Sequence, residues 1–214
     1  MLAADFIKHV LEILNEADAS ISGAELVGAE MVNISTYIEK LYPAAWRAAV
    51  KIFPRTWFLP VSFANATKIV NAPDGTGYII LPVDFLVLSS FKMTGWKIDV
   101  LSAPEETPDI NKKQSNEYLR GTHRNPVCVL RYISFNNALR KAMYYYSLPK
   151  TTDAGTHVIE KALYVANVTT LGTDVDIDDN GLEPLAYLTA ATVLTSFEKE
   201  TAAKAIESKI LEMI

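Results

Sequence analysis

Apolar residues recur at helical spacing at both ends of the chain, while the middle gathers short β-branched and apolar runs between turn signals. Phe6, Ile7, Val10, Leu11 and Leu14 share one face, with Asp5, Lys8 and Glu12 between them. A break follows at residues 18–23. Ser22 and Glu25 then make a capping box, each side chain within reach of the other's free backbone N–H, and Ile21 and Leu26 flank it as a hydrophobic staple. Val27, Met31, Ile34, Ile38 and Leu41 step by four, three, four and three, the seam of a helix packed on another. Ordinary core is the plainer reading of that stripe, and a partner groove is the other. Pro43 stands where a new helix could begin, and Pro54 closes the region.

The middle reads as mostly strand. Residues 66–72 and 77–81 flank Pro73-Asp74-Gly75, where proline fixes φ and glycine supplies a positive φ, so a hairpin is expected. After residue 81 the chain is expected to enter a short helix, with Asp84 as its cap. Residues 127–133 are β-branched and apolar, and Asn136-Asn137 offers a turn into residues 139–146. Residues 157–165 form a further strand, with Val158 and Ile159 its best formers. The polar stretch 107–119 is partly helical.

The C-terminal part is helical again. Gly181 precedes Pro184, and proline suits the first turn of a helix. Tyr187, Ala190, Ala191, Leu194 and Phe197 share a face, Glu200 and Lys204 form an i,i+4 pair, and Ile206, Ile210 and Met213 continue the apolar face. The expected fold class is therefore α+β: terminal antiparallel helices forming a bundle, with a β-rich middle of hairpins or a small antiparallel sheet projecting from it. The parts fall at residues 1–56, 57–168 and 169–214, the last holding an acidic turn and the C-terminal helices that pack with the N-terminal ones.

Composition narrows the function classes. The chain has 214 residues, half of them hydrophobic, enough for a core without staples. Its net charge of −5 argues against a nucleic-acid binder held by phosphate neutralisation, though not against a passage that DNA slides through. A single cysteine, Cys128, forms no internal disulfide and no cysteine metal site, and reads as a small buried residue in a strand. The lone cysteine fits assembly in a reducing cytoplasm. No run approaches a membrane span, and Met1 to Asp5 lack the basic-then-apolar pattern of a secretory signal.

Candidate chemistry is thin, and no catalytic, cofactor-binding or metal residues are assigned. Residues 176–181 match the first six positions of a calcium loop, but the twelfth position, which needs a bidentate glutamate, is Tyr187. The plainer reading of the segment from Asp174 to Gly181 is an acidic turn before a helix, with Asp178, Asp179 and Glu183 near its positive end. His9, His123 and His157 lack ligand partners at metal spacing, and no nucleophile elbow or phosphate loop is present. Lys112, Lys113, Arg120, His123 and Arg124 make the most basic stretch, either a solvated face or a contact with an acidic partner or DNA. Tyr144, Tyr145 and Tyr146 put large rings on both faces of one strand.

One further signal lies in residues 78–130. Ile80-Leu81-Pro82-Val83-Asp84-Phe85-Leu86, Trp96, Lys113-Gln114-Ser115-Asn116-Glu117-Tyr118, Gly121 and Pro126-Val127-Cys128 together resemble head-to-tail connector proteins of tailed bacteriophages, in particular a ring protein of crAss-like phages. Pro184 to Thr195, with Ala186, Ala190 and Ala191, is similar to the closing helix of many phage adaptors. The resemblance implies a structural virion protein at the head–tail interface, made in the bacterial host cytoplasm. It implies a homo-oligomeric ring, usually of about twelve copies, that docks under the portal protein, meets tail or further ring proteins and extends the DNA channel without sequence-specific binding. It brings no catalytic residues and no membrane. Contacts outside the subunit are expected at Lys112, Lys113, Arg120 and Arg124, and at the apolar end Ile206, Ile210, Leu211 and Met213. A second reading is a binding module whose middle recognises a carbohydrate or host surface through clustered aromatics, with Trp57, Trp96 and the three tyrosines as candidates. A third is a hydrolase whose site assembles only in space.

Overall fold

A computed structural model describes residues 1–17, 24–27, 30–71, 73–151 and 153–214. The fold is α+β with helices at both ends of the chain. The chain divides into a helical unit made from its two ends, Met1–Leu59 and Asn167–Ile214, and a β unit, Pro60–Ala166. Among the described residues no helix is long and apolar enough to cross a membrane.

In the helical unit, α1 (Ala3–Ala17) buries Phe6, Val10 and Leu14 of the expected stripe, and Ile13 joins them while Ile7 and Leu11 are only half-buried. The next segment corrects the sequence reading. Ala24–Val27 (β1) and Glu30–Asn33 (β2) pair as antiparallel strands rather than opening a helix, while Ile21 and Ser22 lie outside the described residues. Gly28 falls mid-segment, and a glycine costs about 1 kcal/mol in a helix interior. The helix α2 (Ile34–Ile52) starts instead where the Asn33 side chain accepts from the Ser35 N–H. Pro43 starts no new helix; α2 runs through it, with the proline buried. Phe53, which precedes Pro54, is extended, as a residue before proline prefers, and ends the helix.

The C-terminal half of this unit is α4 (Asp179–Ser196) and α5 (Glu200–Met213), and α4 packs on α1, α2 and α5. Asp178 caps α4 by accepting from the Gly181 N–H. Gly181 is required, because a Cβ there would lie 2.5 Å from Ile177 Cδ1. Pro184 sits inside α4, past its first turn. Between α4 and α5 the chain turns through Glu198, whose φ is 61°. The acidic segment before α4 is stitched down at both ends. Ala3 N–H donates to the Thr173 carbonyl, Val175 N–H to that of Met1, and Asp178 N–H to that of Trp57. An aromatic chain, Phe6–Tyr42–Trp46–Phe58–Phe53, fills the core with centroid spacings from 5.2 to 6.5 Å. Burial pushes the Tyr42 hydroxyl well above its ordinary pKa, with Asp176 adding to the shift.

The β unit holds two antiparallel sheets with one core between them. The first orders β3 (Val61–Ser62), β9 (Ile159–Ala166) and β6 (Phe85–Met93). The second orders β4 (Lys68–Asn71), β5 (Thr76–Ile80), β8 (Ala138–Tyr145) and β7 (Cys128–Phe135). Both expected turns are present: Gly75 has φ 67°, and Asn136 and Asn137 have φ 51° and 59°, the positive pair of a tight two-residue hairpin. The short helix expected after residue 81 is absent; Phe85 begins the longest strand. Asp84 caps nothing there and accepts instead from the Tyr164 hydroxyl at 2.9 Å; burial, and after it this bond, raises that phenol to about 12. The helix α3 (Pro108–Ser115) is capped by Thr107. Cys128 is buried and its thiol is pushed up by desolvation, so it is no thiolate nucleophile.

Candidate functional site

Two features of the β unit stand outside ordinary core packing. The first is the outer half of the β7–β8 hairpin. Residues 128–135 pair with 138–145 along the whole length. The base is supported on both sides: β5 pairs β8 only over residues 142–145, and Leu130 exchanges hydrogen bonds with the chain at Pro104 and Glu106. Beyond that, Tyr132–Phe135 and Ala138–Arg140 have no third strand among the described residues. Cross-strand partners share a face. Tyr132 and Leu139 lie on one face and are 62% and 73% exposed, with Lys141 over the Tyr132 ring at 5.9 Å.

The second feature is a hollow of about 290 Å³ on the outer face of the four-stranded sheet. The alternation of β8 sends Tyr145 into the core and leaves Tyr144 half-buried on the outer face, with Tyr146 following it. Tyr78 stacks on Tyr144 at 5.0 Å, and the Arg131 guanidinium covers the Tyr144 ring at 4.5 Å. Arg131 Nη2 donates to the Tyr146 hydroxyl at 2.7 Å and to Asn111 Oδ1 of α3 at 2.9 Å, and pairs with Glu106 at 2.8 Å. Desolvation raises the Tyr144 and Tyr146 hydroxyls against the opposing Arg131 charge, so both stay neutral donors at neutral pH. Behind the sheet, Gly77 lets Tyr145 through: a Cβ there would lie 2.5 Å from the Tyr145 ring and 2.4 Å from the Ile69 carbonyl oxygen. The Tyr145 hydroxyl donates to that carbonyl.

The residues singled out from sequence separate into groups. Lys112, Lys113 and Arg124 are exposed, the lysines lining a shallow hollow with Asp109, Asn116 and Leu119. Arg120 is half-buried and donates to the Asp74 carbonyl at 2.8 Å, so it pins the β4–β5 turn. Ile206 and Ile210 correct the expectation of an outward apolar end. They are 3% and 2% exposed and face their own helical unit, leaving Leu211 at 78% exposure and a half-buried Met213. Trp96 is buried in the β core and Trp57 lies in the helical unit, so neither joins the tyrosine hollow. Sequence reasoning missed Arg131, Tyr78, Tyr132 and Leu139, and also the pair Tyr118 and Leu119, exposed at 94% and 66% inside the basic stretch. The one available signal was the lack of any acidic residue from Cys128 through Tyr145.

Among the described residues no three His, Cys, Asp or Glu side chains gather as a metal-holding group. No protein-family model matches the chain, and no curated protein matches it in sequence.

Proposed function

We propose that this chain is a structural virion protein, a head-to-tail connector of a tailed bacteriophage that forms a ring beneath the portal and extends the DNA channel toward the tail. It is made in the host cytoplasm and has no catalytic task. The observation that carries the reading is the unsupported outer half of the β7–β8 hairpin. A two-stranded ribbon is marginal in water by itself, and this one displays Tyr132 and Leu139. A neighbour that covers those side chains accounts for both features.

Charge supports the same arrangement. The helical unit carries eight Lys and Arg against sixteen Asp and Glu, a net −8; the β unit carries twelve against nine, a net +3. The basic ribbon of one copy and the acidic helical unit of the next attract each other, and a head-to-tail contact of that kind closes into a ring when its rotation permits.

The test is the double substitution Tyr132→Lys with Leu139→Lys, followed by sedimentation velocity on concentrated protein alone and mixed with the adjacent portal protein. The native chain is expected to sediment as an oligomer or with the portal, and the variant as a free monomer with an unchanged melting curve. A variant that assembles like the native chain removes the ribbon from the contact.

A further inference from the structure

The outer face of the four-stranded sheet carries a second capacity. Ile69 lies beside Tyr78, Tyr78 beside Tyr144, and Asn71 beside Thr76 one step along the strands. Thr76 is small among tyrosines, and the hollow opens over it, with Asn111 and Ser115 of α3 on one side. The rings are set before any ligand arrives. Tyr144 is held between Tyr78 and the Arg131 guanidinium, and Tyr146 is tied to Arg131 through its hydroxyl. A site whose side chains are already ordered loses little entropy on binding.

The lining selects the ligand's chemistry. Among the described residues Arg131 is the only ionised one lining it, and Glu106 neutralises that charge at 2.8 Å, so the hollow favours neither anions nor cations. What remains is aromatic surface ringed by neutral amides and hydroxyls. Asn111 uses Oδ1 for Arg131 and Ser115, and Asn71 uses its amide for Asp74. Among the described residues nothing pairs with the Asn111 amide, the Asn71 Oδ1 or the hydroxyls of Thr76 and Tyr78. The Tyr144 ring is already taken by Tyr78 and the Arg131 guanidinium, so a flat base cannot stack on it. A puckered ring with hydroxyls around its edge and C–H groups on its face satisfies these groups together. We infer that the hollow over Thr76 binds a neutral sugar residue, packed on the tyrosine edges and hydrogen-bonded by Asn71, Thr76 and Asn111.

The sugar site is read independently of ring formation. Saturation-transfer NMR and calorimetry on the full chain use maltose, galactose and N,N′-diacetylchitobiose, with sialic acid and adenosine as the charged and planar comparisons. At least one neutral sugar is expected to bind saturably, with an affinity near 1 mM or tighter. Thr76→Trp fills the hollow and is expected to weaken that binding at least about tenfold, whereas the ribbon variant Leu139→Lys leaves it unchanged. If Thr76→Trp does not fold, Asn111→Ala serves in its place, with a loss of about tenfold expected. The proposal is overturned if none of the three sugars binds, if sialic acid or adenosine binds better than all of them, or if neither folded hollow variant weakens binding. It is also overturned if Thr76→Trp changes the oligomeric state instead, which would put a second copy in the hollow.

Discussion

The two units use the same residue types in opposite ways. In the helical unit no described aromatic is exposed, and the chain from Phe6 to Phe58 is closed into a single core. The β unit encloses Phe63, Phe91, Trp96 and Tyr145 but also displays Tyr118 and Tyr132 and leaves Tyr78, Tyr144 and Tyr146 half-covered around a hollow. A closed core makes stability; a displayed ring, held by stacking and an arginine, is available to something else. The contrast is one of packing: the helical unit encloses its rings, while the β unit leaves several of its own uncovered.

Substitutions break or sharpen this contrast in order of size. Trp46→Ala empties the middle of the helical core and is expected to lose about 3–5 kcal/mol, measured by denaturant unfolding. The most pointed comparison is between neighbours. Tyr145→Ala, on the core face, is expected to cost about 3 kcal/mol, while Tyr144→Ala, on the outer face, costs about 1 kcal/mol, the value of its stacking. Equal losses for the two would erase the distinction between core and display. Asp178→Ala removes the cap of α4 at a cost of about 1 kcal/mol, seen as a lower melting temperature with unchanged strand signal.

The smallest effect is electrostatic. Asp99 accepts from Lys161 and from Ser90, both at 2.9 Å, and these bonds hold its carboxyl below the usual aspartate range. A folded value below the unfolded one gives stability that is present above the ordinary aspartate pKa of about 3.9 and is lost as pH falls through the folded value. Asp99→Asn is therefore expected to cost under about 1 kcal/mol at neutral pH, since the pair is partly solvent-screened. The difference from the native chain should close as pH is lowered below the carboxylate range, which an acid-unfolding titration reads directly.

Local chemistry was legible where one or two residues decide the backbone. Gly75 and the Asn136-Asn137 pair are at the turns that their conformational preferences require. Pattern failed where two structures share it. The steps from Val27 to Ile34 read as a helical seam, yet Ala24–Val27 and Glu30–Asn33 pair as antiparallel strands, and the helix starts only after Asn33, whose side chain caps it. Asp84 looked like a cap because its true partner, Tyr164, is 80 residues away. Ile206 and Ile210 show that an apolar stripe does not say whether its cover is the same chain or another. The hollow was half visible: alternation in the Tyr144–Tyr146 triplet marks two faces. Arg131 becomes part of it only through Glu106, Asn111 and Tyr146, contacts that no spacing in the sequence encodes.

The central claim is assembly through the β unit, and negative-stain electron microscopy of the concentrated protein, alone and with the portal protein encoded beside it, tests it most directly. The account predicts rings of about twelve subunits, or caps seated on the portal, that disappear in the Tyr132→Lys, Leu139→Lys variant. A native chain that stays monomeric and leaves the portal bare would contradict it.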